Sequence, residues 1–463
     1  MIHPPNRVRG NLSMIQNPAE SARRTPGSAA RGRLGGVNSL IFGSLFELVF
    51  AGIGMMKWLS AAVVLLAVTS VQPQCFSEND DLSIPPSNDL SGIADFGLEL
   101  FKEIFPYNSS SNFFFSPYSV WNALTLAYFG SSGNTQAELE RVLRVEDKVT
   151  TLKNWRTLEF LYDMRQTNNS DYTFKVANRA YFDSTVNLTG CVGDILTNEL
   201  QVVDFTKTEE AAGTINNFVS NTTKGRIPSL VEAKDLINAK MVLANAAFFK
   251  GTWLYQFKKS ATRPHLFYSS QNDYTFVDMM TQKGNFRHGV SEELGAHILE
   301  LPYTGEAISM YILLPPFISG EQGFNAMVEN LNATTLHYAI DDMWRLEVEV
   351  VIPKFKLEQM VGDELMESLS RMGISDLFTP GAADLSSFAD DTDLSVGRSI
   401  HKAFVEVSEE GTEAAAATAF ISLRIARPVG PEKFECNHPF LFVIYDNLTK
   451  NILFMGAYKN PKA

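Results

Sequence analysis

Residues 405–422 read Val405-Glu-Val-Ser-Glu-Glu-Gly-Thr-Glu-Ala-Ala-Ala-Ala-Thr-Ala-Phe-Ile-Ser422. Four consecutive alanines suit a surface helix over 412–419, because Ala is the best helix former. The flanks suit a strand: Val405–Val407 alternates, and Pro428 and Pro431 break whatever follows. As a strand, Thr412, Ala414, Ala416, Thr418, Phe420 and Ser422 share one face, which is small until Phe420 and carries no charge. Glu413 lies on the other face with Ala415, Ala417, Ala419 and Ile421. Such a strand could enter a sheet between two others without overpacking the core. Local rules leave both readings open.

Outward from this stretch, the spacing predicts a mixture of helices and strands. Apolar residues recur at helical intervals from Asp89 to Phe105, and Ser116-Pro117 opens a second helix ended by Gly130. Leu365–Met372 reads as a helix closed by Gly373. Phe174–Phe182 and Leu346–Ile352 alternate as strands, and Met241–Phe249 is apolar enough to be buried on both faces. Ile298–Leu301 and Ile308–Leu314 flank a turn, and Phe440–Tyr445 with Leu453–Tyr458 form a hairpin. Helices come early and strands dominate later, so the class is α+β with large sheets. No repeat and no linker divides residues 80–463, which argues for one large domain.

The chain has 463 residues, 45% hydrophobic and 20% charged, with 33 Phe, 14 Tyr and 5 Trp. That composition excludes global disorder. Its net charge of −13 disfavours phosphate-driven nucleic-acid binding. Residues 1–70 hold seven basic and two acidic residues, leaving 32 basic and 50 acidic ones in the rest. Met56-Lys57 precedes the apolar run Trp58–Val68 and small residues to Ser70, which describes a secretory signal peptide. The expectation is a non-native extension at 1–55, a signal peptide at 56–70 and a secreted domain at 71–463. A signal anchor using the apolar stretch 37–54 is the rival. Sequons at Asn108, Asn168, Asn187, Asn221, Asn332 and Asn447 fit a secreted glycoprotein. Cys75, Cys191 and Cys436 make an odd count, leaving a thiol over and making the core the main source of stability.

No enzyme constellation emerges. G-x-S-x-G, the P-loop, G-x-G-x-x-G after a strand and H-E-x-x-H are all missing. The seven histidines have no i, i+4 pair, and the cysteines are too sparse for zinc. Neither a catalytic residue nor a metal or other cofactor is expected.

The stretch 405–422 resembles the hinge and reactive loop of the serpins, the serine-protease-inhibitor family. Other motifs resemble that family in order over roughly 90–460. They include Phe114-Phe-Ser-Pro-Tyr-Ser119, Gly133-Asn-Thr135, Ile215-Asn-Asn-Phe-Val219 and Thr223-Lys-Gly-Arg-Ile227. Ala244-Asn-Ala-Ala-Phe-Phe-Lys-Gly-Thr-Trp253, Met279-Met280, Ile352-Pro-Lys354 and His401-Lys-Ala403 follow, then Asn437-His-Pro-Phe-Leu-Phe442 and Leu453-Phe-Met-Gly456. Phe218 stands where the family pattern has Trp.

The resemblance implies a metastable α+β fold of three β-sheets and eight to nine helices, with an exposed bait loop at about 409–433. A target serine protease cuts the loop, is held as an acyl-enzyme, and is distorted when the cut loop enters the main sheet. The hinge Glu409, Glu410, Gly411, Thr412, Glu413, Ala414, Ala415, Ala416, Ala417 and Thr418 resembles those of inhibitory members. A charged or bulky residue there would instead favour a non-inhibitory carrier, chaperone or storage protein. Arg424-Ile425 is the favoured scissile bond and suits a trypsin-like protease; Ile425-Ala426 is the alternative and suits an elastase-like one. Ser116, Ser119, Asn245 and His401 resemble a polar cluster beneath the point where the sheet opens. Glu409 and Lys354 resemble a pair at the top of the sheet, with Trp253 near the same entry. Lys148, Lys153, Arg156 and Arg165 fall near the helix that binds a glycosaminoglycan in some relatives. The whole looks most similar to secreted arthropod haemolymph serpins of immune and melanisation cascades, acting as monomers without membrane or nucleic-acid partners.

Overall fold

The computed structural model describes residues 90–106, 110–168, 172–390, 393–411 and 431–462. The predicted signal peptide, Asn108, residues 412–418 of the hinge and both candidate scissile bonds lie outside them. Among the described residues there are nine α-helices and fourteen strands.

The strand Met241–Gly251 is the centre of the molecule. It stands third in a five-stranded sheet, between Val396–Val407 and Tyr172–Asp183, with Phe355–Val361 and Leu200–Val203 at the edges. Its side chains alternate between two hydrophobic clusters. Met241, Leu243, Ala247 and Phe249 enter the main core, and Val242, Ala244, Ala246 and Phe248 enter a smaller one. That explains the unbroken apolar run. Asn245 interrupts the main-core face.

That face is covered by the helix Pro117–Gly130. All fourteen of its residues are buried, so the helix is apolar nearly all round rather than amphipathic. Ser116 caps its start, accepting from the Ser119 N–H, and Pro117 sits at the first position where its missing N–H costs nothing.

The remaining nine strands form one hydrogen-bonded sheet, eight of them in continuous order and Arg263–Tyr268 branching off the 18-residue strand Tyr274–Ser291. Residues 274–279 of that strand pair with Arg263–Tyr268, 279–288 with Trp344–Pro353 and 288–291 with Ala296–Pro302. The expected second and third sheets are thus joined through a shared strand. The hairpin Phe440–Asp446 with Ile452–Tyr458 is wholly buried in this assembly.

The helices and strands read from the sequence stand where the spacing placed them, within a few residues: Ser91–Ile104, Pro117–Gly130, Asp363–Met372, Tyr172–Asp183 and Trp344–Pro353 among them. Gly373 closes its helix at φ +106°. The strands Tyr274–Ser291 and Phe355–Val361 were not anticipated. Tyr274–Ser291 lacks clean period-two burial, because it meets different neighbours along its length, whereas Phe355–Val361 alternates with Phe355, Leu357 and Val361 inward.

Candidate functional site: the closed seam of the main sheet

Val396–Val407 and Met241–Gly251 are parallel neighbours, a pairing slightly weaker per residue than antiparallel and usually bridged by a long connection. Two polar clusters close the seam between them, one midway and one at the top.

Midway, His401 and Asn245 are register partners. The Ser116 N–H donates to His401 Nε2 at 3.0 Å, so the imidazole proton resides on Nδ1 and is donated to Asn245 Oδ1. Asn245 Nδ2 donates to the Ser119 carbonyl at 2.8 Å and to Ser119 Oγ at 2.6 Å, and also meets Asn178 Oδ1. Asn178 in turn donates to Asn122 Oδ1 at 2.6 Å, and Ser116 Oγ to the Leu453 carbonyl at 2.6 Å. His401 is fully buried, and that burial pushes its imidazole down to about 3. It is a neutral structural histidine, with the ring of Phe115 edge-on at 6.2 Å.

At the top, the chain leaves Val407 and reverses. Ser408 and Gly411 exchange both backbone hydrogen bonds at 3.1 Å, making a two-residue hairpin turn over Glu409-Glu410. Gly411 is also bridged antiparallel to Thr252. It therefore already lies as a first rung between the two parallel strands. Its φ is +97°, and a Cβ there would lie 2.4 Å from the Gly251 carbonyl oxygen and 2.5 Å from the Trp253 nitrogen. Only glycine fits.

Glu409 is buried beside this turn. It accepts from Lys354 Nζ at 3.0 Å and Thr262 Oγ1 at 2.8 Å. Burial opposes its charge, but its own backbone N–H, Lys354 and Thr262 outweigh that and hold the carboxyl below its ordinary range. Trp253 Nε1 donates to the Ser408 carbonyl at 2.9 Å, and its ring stacks on Tyr303 at 4.4 Å. Glu410 faces outward to Lys259 at 2.7 Å.

The seam thus has two parallel strands, a buried polar lock at its middle and Gly411 bridged in its mouth. The family model of the serpins, serine protease inhibitors, matches residues 91–461. The chain belongs to the serpin family.

Serine protease inhibitor 88Ea of Drosophila melanogaster is 37% identical over 420 residues, covering 87% of this chain and 96% of that relative. The human leukocyte elastase inhibitor is 37% identical over 385 residues, covering 79% of this chain and 97% of that protein. The crystal structure of Serpin48 of the insect Tenebrio molitor superposes with a TM-score of 0.69 at 29% identity, covering 80% of this chain and 97% of that one. The named relatives are inhibitors, and this serpin is a protease inhibitor in kind rather than a catalyst.

The serpin's other candidate positions are dispersed. The four basic residues near the helix Lys148–Asn168 do not converge: Lys148 Nζ donates to the Ser131 carbonyl, Arg156 pairs with Glu199 at 2.7 Å and Arg165 with Asp446 at 2.7 Å. Asn187, Asn221 and Asn332 are exposed, whereas Asn447 Nδ2 donates to Ser309 Oγ at 2.9 Å and the Glu306 carbonyl at 3.1 Å. A glycan on Asn447 would remove one of those bonds. Cys191 is disulfide-bonded, and Cys436 is the free thiol, fully buried and pushed well above its ordinary range by that burial. The leftover thiol is thus a core residue, not a reactive one. Among the described residues no three His, Cys, Asp or Glu side chains gather to hold a metal.

Thr262, Tyr303, Asn178 and Asn122 belong to the two clusters but carried no sequence signal. Each is an ordinary polar or aromatic residue that becomes functional only through the neighbour the fold brings to it.

Proposed function

We propose that the protein is a secreted suicide-substrate inhibitor of a trypsin-like serine endopeptidase, restraining an extracellular proteolytic cascade of immune or melanisation type. The observation that carries this is Gly411, bridged at once to Ser408 and Thr252. Continuing the two registers sets each following residue between one residue of Val396–Val407 and one of Met241–Gly251. Ala414 comes between Val405 and Phe249, Ala416 between Ala403 and Ala247, and Thr418 between His401 and Asn245. Thr418 would then part the pair that closes the seam and offer its hydroxyl in exchange. Glu413 falls on the opposite face, between Glu406 and Lys250. On the main-core face the inserted residues are uncharged throughout and small until Phe420, which falls between Ser399 and Leu243. Ladder and strand run out together at Ser422 opposite Met241, after 11 residues, a path of about 36 Å at roughly 3.3 Å each.

In this mechanism the target's serine attacks the carbonyl of Arg424, the amine of Ile425 leaves, and an ester joins Arg424 to the protease. Insertion converts one parallel pairing into two antiparallel ones. At about 1 kcal/mol net per new hydrogen bond, the gain is on the order of 10 kcal/mol, comparable to a folding free energy. The protease is carried to the far end of the sheet before water can release it. The signal-like segment at 56–70 and the bonded Cys191 suit an oxidising, extracellular setting. Glycans on Asn187, Asn221 and Asn332 suit it too, as does action as a monomer.

A second reading keeps the mechanism and moves the bait to Ile425-Ala426, with an elastase-like target. It is favoured by the 37% identity to the leukocyte elastase inhibitor. Incubation with trypsin and with elastase, followed by a denaturing gel and the mass of the released peptide, separates the two. A stable trypsin complex with a peptide beginning at Ile425 supports Arg424. An elastase complex with a peptide beginning at Ala426 supports Ile425. Cleavage by both enzymes with no complex from protein whose loop is shown to be uninserted refutes inhibition.

A further inference from the structure

The segment after the bait loop re-enters the described fold as Glu432–Glu435, a four-residue strand at the end of its sheet. Among the described residues it pairs on one side only, parallel to Trp344–Pro353, with Phe434 opposite Val350. So short an edge strand gains little from its ladder, and its holding power lies in Phe434, which is 2% exposed. The ring of Phe434 abuts His288 edge-on, with centroids 5.8 Å apart. His288 is itself buried, and its Nε2 faces Nδ1 of His297 on the adjoining strand at 3.4 Å.

We propose that His288 and His297 form a proton-sensitive latch that holds Glu432–Glu435, and with it the far end of the bait loop, at neutral pH and loosens it in acid. Two facing imidazole nitrogens can share one proton: one donates and the other accepts. One added proton makes the pair an imidazolium donating to an imidazole and leaves the contact whole; a further one makes both rings imidazolium, with a donor on each facing nitrogen and two positive charges face to face, and the contact must open. His288 cannot turn away without displacing Phe434.

The charged surroundings do not cancel this. Glu432, on the strand that is held, is the carboxylate whose field reaches His288, while His297 opposes its protonation. Burial is the larger influence and keeps His288 below the ordinary histidine range. Trp344, directly opposite His288 on the strand Trp344–Pro353, brings no charge. Arg287 and Arg345 point to the other face, where Glu300 and Glu306 pair with them at 3.1 and 3.8 Å. The geometry of the latch is independent of the inhibitory reading; only its consequence for the bait loop rests on that reading.

Hydrogen exchange of the intact protein tests it, following the peptide that spans 431–436 at about pH 7.5 and about pH 5.5, each corrected for intrinsic exchange. Protection of this peptide should fall at least about threefold in acid, because the open form takes up protons that the closed pair cannot hold on both rings. Protection of 452–458 should hold. His297→Gln keeps a neutral hydrogen-bonding group and should remove most of the fall. No loss in the wild type, an equal loss in His297→Gln, or a parallel loss across 452–458 would overturn the latch. None of these readouts depends on whether a protease complex forms, so failure of inhibition and failure of the latch are separable.

Discussion

Asn245 and His401 face each other across a parallel ladder, and the hydrogen bond between their side chains closes the main sheet midway along its seam. Because Nε2 accepts from the Ser116 N–H, a proton added to His401 would meet a donor already in place.

This sets the acid response. Burial pushes His401 down to about 3, while an unfolded histidine titrates near 6.5. Between those values the unfolded chain binds a proton that the folded chain refuses. The contribution to stability is therefore complete above about pH 6.5 and declines as pH falls through the window, by roughly 1 kcal/mol per pH unit. Urea midpoints of wild type and His401→Gln from about pH 7 to about pH 4 would show it. The variant should be less stable throughout but flatter in pH; parallel slopes would refute the assignment.

The insertion register predicts unequal sensitivity on the two faces of the hinge. Ala414→Arg would place a charge between Val405 and Phe249, both buried in the main core. It should convert the inhibitor to a substrate, cleaved by trypsin with almost no stable complex. Glu413→Gln, on the outer face, should leave the yield of complex within about twofold, as expected of a surface change. Equal losses in both would mean that the register is wrong.

At Gly411 a side chain meets main-chain atoms, not flexible neighbours. Gly411→Ala should cost about 1–3 kcal/mol from the positive φ alone, and more from the contacts with Gly251 and Trp253. Gly213, inside the helix Thr208–Thr222 with nothing within 4 Å of an added Cβ, is the control and should be unchanged or gain about 0.5–1 kcal/mol on substitution by Ala. Equal denaturation midpoints for the two variants would count against the first-rung geometry.

Lys354→Ala should weaken the top of the sheet by about 1–3 kcal/mol, since it leaves the buried Glu409 carboxylate with fewer donors. Glu409→Gln in the same background should recover part of that loss. A double-mutant cycle with additive effects would show that the pair does not couple.

The sequence alone determined the class of fold, most long elements and the family. These rest on local physics: period-two and 3.6-residue patterns, Ser116-Pro117 as a helix start, Gly373 as a stop, and motif order along one chain. It also determined that 412–418 is small and uncharged on one face. It left open whether that stretch is a helix or a strand, because alanine satisfies both. Tertiary structure decided where the stretch begins. Gly411 is held between Ser408 and Thr252, residues remote in sequence from each other, and under the proposed insertion that contact sets direction and register. The partners of Glu409 and Asn245 were likewise beyond reach of sequence, since Thr262, Lys354, Ser119 and Asn178 are 55 to 147 residues away and are selected by sheet pairing rather than by spacing. The irregular strand Tyr274–Ser291 escaped for the same reason: its burial is dictated by three different neighbours along its length.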